Sequence, residues 1–287
     1  MKLEISGARR HERKRKMFRI SSFADEISPD INVQVKVLKD LGIKYVELRS
    51  VWDRNVLDLT DGEAAEVKRV FDENGIAVSS IGSPLGKIDV DDDFEAHLEK
   101  LYRAIWAAKF FGTGYIRVFS FYHKGKTLAE CREKTLRRLE AMTGIAKRYG
   151  IILCHENEAA IYGEKGTENQ EILEHMNDAN FRAVLDPANY VLAGEHPYEC
   201  LMREHNYIEY LHIKDAHFGG EICPAGYGDG EVKEVLNFLR YRDGMFLTLE
   251  PHLSLAGSMR GFSGPELFKV AHDALTELLD ELEIEYQ

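Results

Sequence analysis

The 287 residues carry 44% hydrophobic and 30% charged side chains and a formal net charge of −12. That is enough apolar content for a large core and the wrong sign for a dedicated nucleic-acid binder. No apolar run reaches membrane-spanning length, no signal-peptide core follows the basic start, and Cys131, Cys154, Cys200 and Cys223 form no C-x-x-C pair, so the composition reads as a reduced, cytoplasmic protein.

Residues 1–17 hold seven Lys/Arg against Glu4 and Glu12, which leaves the remaining chain at −17. This stretch fits no repeating unit and reads as a basic, disordered extension ahead of one domain over 18–287. From Phe18 onward short apolar runs alternate with amphipathic ones. Strands are predicted at 18–24, 44–49, 77–82, 114–119, 151–156, 181–186, 208–213 and 245–250. Helices are predicted near 30–41, 61–75, 93–111, 127–149, 167–177, 197–205, 231–241 and 264–284. Val33, Val37 and Leu41 are expected to share the inward face of the first helix, and Leu136, Leu139 and Thr143 that of the fourth. Gly42, Gly75, Gly112 and Gly150 each sit where a helix would stop. Eight strands and eight helices in strict alternation favour a parallel sheet closed into one (β/α)8 barrel.

Four of the predicted strands end in a group able to ligate a divalent metal: Glu156 in IILCHENE, Asp186 in FRAVLDPAN, His212 in YLHIKD and Glu250 in FLTLEPH. Taken singly, each reads as a helix cap, a turn former or a core histidine. Together they fall 30, 26 and 38 residues apart, one strand–helix repeat per step. The C-terminal ends of barrel strands meet at one mouth, where four unpaired polar groups would be costly and a cation would neutralise them. Three carboxylates and one imidazole suit Mn²⁺ or Mg²⁺, with Zn²⁺ and Co²⁺ also able to bind.

HENE, LDPAN, HIKD and LEPH, with ADEIS and VELRSVWDRNVLDL nearer the start, resemble the sugar phosphate isomerase/epimerase family with the xylose-isomerase-like TIM barrel. The similarity runs from about Phe18 to the end. It implies that Glu156, Asp186, His212 and Glu250 hold one divalent metal, and that Glu156 and Glu250 face each other across the substrate carbon as base and acid, passing through an enediolate. The resemblance departs at Asn189, where the best-known ketose epimerases carry a histidine; Asn hydrogen-bonds a hydroxyl but does not titrate.

Further substrate-binding candidates come from other strand ends. Glu47 and Arg49 share a face of the second strand. Arg117 points inward from the fourth and needs a carboxylate, which Glu47 or Glu156 would supply. Glu158 has the phase of Glu156 and reads equally as a loop acid. Lys214 follows His212, and His252 follows Glu250. Arg260, with Ser258 and Ser263 in a glycine-bearing loop, would meet a substrate phosphate. The expected activity is metal-dependent isomerisation or epimerisation of a small sugar, sugar phosphate or polyol ketone. An inosose-type dehydratase on the same site and an endonuclease at abasic sites are the rival readings, the latter opposed by the acidic barrel. The expected partner is a sugar-like small molecule, with neither nucleic acid nor membrane; a homo-oligomer is left open.

Overall fold

The computed structural model describes residues 17–253 and 263–287. The basic extension through residue 16 and the segment with Ser258 and Arg260 lie outside the described residues. Eight parallel strands form the barrel wall: β1 (Met17–Ser22), β2 (Tyr45–Leu48), β3 (Ala77–Ile81), β4 (Tyr115–Val118), β5 (Ile152–Glu156), β6 (Phe181–Leu185), β7 (Ile208–Ile213) and β8 (Phe246–Leu249). They are hydrogen-bonded in the order β1-β8-β7-β6-β5-β4-β3-β2, and β1 lies beside β2 to complete the turn of the wall. A two-residue strand, Glu285–Tyr286, adds to the start of β1 through Met17 and Phe18. Met17 is therefore part of the barrel, one residue ahead of the predicted boundary.

The helices are α1 (Ile31–Asp40), α2 (Asp61–Glu73), α3 (Phe94–Phe111), α4 (Leu128–Arg148), α5 (Gly166–Met176), α6 (Pro187–Leu192), α7 (Pro197–Glu204), α8 (Val232–Leu239) and α9 (Gly264–Glu281). The chain is a (β/α)8 TIM barrel and, among the described residues, has one α-helix, α6, beyond the eight predicted. Gly42, Gly75, Gly112 and Gly150 all adopt positive φ, from 66° to 80°, the left-handed conformation that ends a helix at little cost only in glycine.

The inward face of α1 differs from the expectation. Ile31, Val35 and Leu38 are buried while Val33 is 36% exposed. Asp30 caps the helix through Asn32 N–H, which sets the phase so that the 31/35/38 row faces the barrel. Gln34 is buried with that row because its Nδ-equivalent amide, Nε2, donates to the Ser28 carbonyl (2.7 Å). Leu136, Leu139 and Thr143 of α4 are buried together.

Helix α6 carries Asp186 at its N-cap, and its anchorage bears on the site. Tyr190 of α6 donates to Glu204 at the end of α7 and accepts from Asn169 Nδ2 of α5 (2.9 Å); all three are buried. Burial pushes the Glu204 carboxyl up to about 8, outweighing the hydrogen bonds from Tyr190 and Asn169 that favour its ionised form. The folded state thus holds a proton that the unfolded chain releases near pH 4.3. This contribution is fully present below that value and falls by about 1.4 kcal/mol per pH unit up to about pH 8. Glu204→Gln, which cannot ionise, should flatten the pH dependence of stability between pH 5 and 8. Urea midpoints for both proteins across that range check this, and parallel profiles would refute it.

Candidate metal centre

The polar residues at the mouth are placed by features of the strands that carry them. The β2–β3 pairing shifts register between Val46 and Glu47, and the β6–β7 pairing shifts between Ala183 and Val184, just ahead of Tyr210. Such irregularities re-aim side chains. Here they bring Tyr210 Oη to donate to Glu47 Oε1 (2.9 Å), with Ser80 Oγ 3.2 Å from the same hydroxyl. Two residues further along β7, His212 shares the inward phase of Tyr210.

Glu156, Asp186, His212 and Glu250 converge. One ligand atom from each lies within 4.8 Å of the others, and all four residues are buried. That spread matches donors on a sphere around one ion at 2.0–2.6 Å, which sets opposite ligands about 4–5 Å apart. Two of the acceptor oxygens, Asp186 Oδ2 and Glu250 Oε2, are buried without an aligned hydrogen bond; their contacts are ionic, with Lys214 Nζ at 2.8 Å from the first and His212 Nδ1 at 3.2 Å from the second. An orphaned carboxylate oxygen in a buried cluster is costly unless a cation occupies it. The donor set and its orphaned atoms fit a divalent metal.

The histidine is oriented from behind. His212 Nε2 stands 3.2 Å from Glu47 Oε2. A carboxylate oxygen accepts, so Nε2 donates to Glu47; Nδ1, turned to Glu156 Oε1 (3.0 Å) and Glu250 Oε2 (3.2 Å), donates to them in the same way and is the nitrogen that would give up its hydrogen to ligate a metal. Burial disfavours the charged ring, yet Glu156 and Glu47 together hold its pKa well above the ordinary value. Glu47 is itself fully buried, so it acts on His212 from beneath. Carboxylates behind a metal-binding histidine are worth about 10–100-fold in affinity. Glu47→Gln should weaken Mn²⁺ binding by that factor in a calorimetric titration; unchanged affinity would mean that another group orients the ring.

Asp186 divides its two oxygens. Oδ1 accepts the Asn189 N–H (3.0 Å), capping α6, whose first residue is Pro187, while Oδ2 is left to the cluster. The cap and ligand readings of this residue are therefore compatible. Asn157 braces its backbone: Asn157 Nδ2 donates to the Asp186 carbonyl and the Asp186 N–H donates to Asn157 Oδ1, both at 2.9 Å. The side chain thereby continues the β5–β6 ladder one step past its end.

Cations surround the cluster. Arg117 Nη1 donates to Glu156 Oε2 (3.1 Å), while its guanidinium lies over Phe23 and Phe119. Arg49 donates to Glu250 Oε1 (2.8 Å), Glu26 Oε1 (3.0 Å) and Asp25 Oδ2 (2.7 Å). Lys214 Nζ is 2.8 Å from Asp186 Oδ2 and 3.9 Å from Glu250 Oε2, an ionic contact without hydrogen-bond alignment. His252 Nε2 is 3.1 Å from Glu26 Oε1 and 3.4 Å from Glu250 Oε1, reached by a backbone at φ 47°. Left-handed backbone in a non-glycine residue is strained and gathers at functional sites. Burial raises the Glu156 carboxyl, but His212 and Arg117 overcome it and hold it at about 2. For Asp186 burial prevails over Lys214, and repulsion from Glu156 and Glu250 adds to it, so that carboxyl rises.

The other candidates spread outward. Asn189 Nδ2 is 3.4 Å from Glu156 Oε1 and donates to the Asn157 carbonyl (2.9 Å). Glu158 lies in the loop after β5, partly exposed, and accepts from Lys87 Nζ (2.7 Å).

Sequence reasoning passed over Asp25, Glu26, Asn157 and Asp215. The first two close the FRISSFADE run just as Glu250 closes its own, so the same signal marks them. Asp215 accepts the backbone N–H groups of Ala216, Gly226, Gly228 and Gly230 at 2.8–3.1 Å, which folds the loop after β7 onto the mouth. A Cβ at Gly228 or Gly230 would meet Asp215 Oδ1 at 2.4 or 2.5 Å, so these positions need glycine.

A family model described as a xylose isomerase-like TIM barrel matches residues 35–281. Among solved structures, a D-tagatose 3-epimerase-like protein superposes with a TM-score of 0.73 at 16% identity, covering 93% of this chain and 98% of that one. The probable 3-DHS dehydratase AsbF from Bacillus anthracis gives 0.71 at 16% identity, with 91% and 98% covered. A xylose isomerase-like TIM barrel protein from Mycobacterium smegmatis, in complex with magnesium, gives 0.68 at 18% identity, with 93% and 98% covered. At such identities the likeness concerns the fold. No curated protein matches the sequence.

Proposed function

The chain belongs to the xylose isomerase-like TIM-barrel family, and from that premise we propose that it is a divalent-metal-dependent isomerase or epimerase of a small sugar, sugar phosphate or polyol ketone. The observation that carries this reading is the buried convergence of Glu156, Asp186, His212 and Glu250 with two orphaned carboxylate oxygens. Those four residues would hold the ion, for which hard Mn²⁺ or Mg²⁺ is the best chemical match. When bound, the ion supplies Lewis-acid polarisation of the substrate carbonyl, which acidifies the neighbouring C–H.

Glu156 and Glu250 are the proton carriers. Burial works against ionisation in both, but His212 and Arg117 hold Glu156 ionised and Lys214, His212 and His252 hold Glu250 ionised, so each can accept a proton. A carboxylate kept far below neutral pH is a weak base, and the pairing therefore works only on a carbon made acidic. The glutamate that takes the proton can itself return it to the adjacent carbon, which isomerises; epimerisation needs delivery from the opposite face, by the second glutamate after it has taken a proton from solvent. Asn189 and Glu158 flank Glu156 and are the groups proposed to meet substrate hydroxyls, and Arg260, outside the described residues, a phosphate. An epimerase-like neighbour supports this reading, while the dehydratase neighbour favours a second one, expulsion of a β-hydroxyl after the same deprotonation.

The test is incubation of the Mn²⁺-loaded protein with a panel of ketoses, their phosphates and inososes in D₂O. Deuterium incorporation at a carbon beside the carbonyl is expected for at least one substrate. Exchange with retention of all hydroxyls marks an isomerase or epimerase, and loss of water marks the dehydratase. No exchange with any of them, at full metal occupancy, would count against both.

A further inference from the structure

Each of the three carboxylates at the centre has a cation of its own, but the three pairings are not equivalent. Arg117 takes Glu156 Oε2 and Arg49 takes Glu250 Oε1. In both cases the oxygen turned to His212 Nδ1, Glu156 Oε1 or Glu250 Oε2, is the other one. Both arginines can therefore stay in place when a metal is bound. Asp186 has no such spare oxygen, because Oδ1 caps α6. Its remaining oxygen, Oδ2, is the one Lys214 Nζ approaches to 2.8 Å, with Glu250 Oε2, which faces His212 Nδ1, at 3.9 Å. The ammonium thus touches Asp186 Oδ2 and lies near Glu250 Oε2, the two cluster oxygens without an aligned hydrogen bond, and it is almost fully buried.

We propose that Lys214 is a placeholder cation, pairing with Asp186 and Glu250 while the metal is absent and displaced toward the mouth when the metal takes those oxygens. Two like charges held against the same two oxygens repel strongly where water cannot screen them. Because the lysine contact lacks hydrogen-bond alignment, it is also the pairing most easily exchanged. The displaced ammonium is drawn toward Glu158, the next acid whose charge acts on it, which is partly exposed and paired with Lys87. There it can meet an anionic oxygen of the substrate. The inference rests on the metal reading above and adds to it a role for a residue that is not a ligand.

The experiment titrates metal-free wild type, Lys214→Met and Lys214→Arg with Mn²⁺ by calorimetry and follows free Mn²⁺ by electron paramagnetic resonance. Removing the competitor should tighten Mn²⁺ binding by about tenfold or more in Lys214→Met, while lowering the melting temperature of its metal-free form; Lys214→Arg should keep that melting temperature. In wild type, amine-reactive labelling mapped by mass spectrometry should show Lys214 protected without Mn²⁺ and reactive with it, which keeps the idea testable if Lys214→Met does not fold. Unchanged or weaker Mn²⁺ binding by Lys214→Met, or labelling that Mn²⁺ leaves unchanged or reduces, overturns the placeholder role alone. A wild-type protein that takes up no Mn²⁺ overturns the metal reading and this inference with it.

Discussion

Glu250→Gln at saturating Mn²⁺ is expected to exchange substrate protons with D₂O about 10²–10⁴-fold more slowly than wild type, the usual scale of a lost acid–base group. The hydrogen bonds show why an amide cannot substitute. Arg49 donates to Oε1 and demands an acceptor there, so the amide must turn its NH₂ toward the cluster, where it can neither ligate nor accept a proton. Metal affinity should therefore fall as well, and saturating Mn²⁺ separates the two losses. Glu156→Gln is worse placed still, since Arg117 donates to one oxygen and Asn189 approaches the other. Near wild-type exchange in either variant at full metal occupancy would remove that glutamate from the proton-transfer role.

Arg117→Met should lower the stability of the metal-free protein by about 3–5 kcal/mol, the cost of leaving one partner of a buried ion pair alone. Glu156 is buried, and burial alone would raise its pKa; Arg117 is one of two cations that hold it down. Methionine retains contact with Phe23 and Phe119 and restores none of the charge. Bound Mn²⁺ neutralises the same carboxylate and should recover much of the loss. Urea unfolding with and without Mn²⁺ checks both statements. A loss below about 1 kcal/mol in the metal-free protein would mean that His212 neutralises Glu156 unaided.

The four converging residues were legible in the sequence because an acid or histidine closing an apolar run is a one-dimensional pattern, and a parallel barrel turns four such ends toward one mouth. The eight strands and eight of the helices followed from the same alternation. Helix α6 did not, because six residues, the first of them a proline, are too few for a 3.6-residue period to register. The inward face of α1 was misread because Val33 and Val37 advertise apolar spacing, whereas the Asp30 cap sets the phase that buries Ile31, Val35 and Leu38. Register shifts beside Glu47 and Tyr210 leave no local trace, so the support beneath His212 was invisible until the strands were paired. The assignment of Arg117 to Glu156 and Arg49 to Glu250 depends on contacts 39 and 201 residues apart in sequence. The sequence narrowed the partner of Arg117 to Glu47 or Glu156 and offered none for Arg49.

The central claim is that Glu156, Asp186, His212 and Glu250 share one divalent ion, and anomalous diffraction from a Mn²⁺-soaked crystal tests it most directly. The expected result is a single strong manganese peak at about 2.0–2.6 Å from one atom of each of the four, His212 contributing Nδ1. A fully soaked crystal with no peak among these four side chains, or with the peak at another cluster, would contradict it.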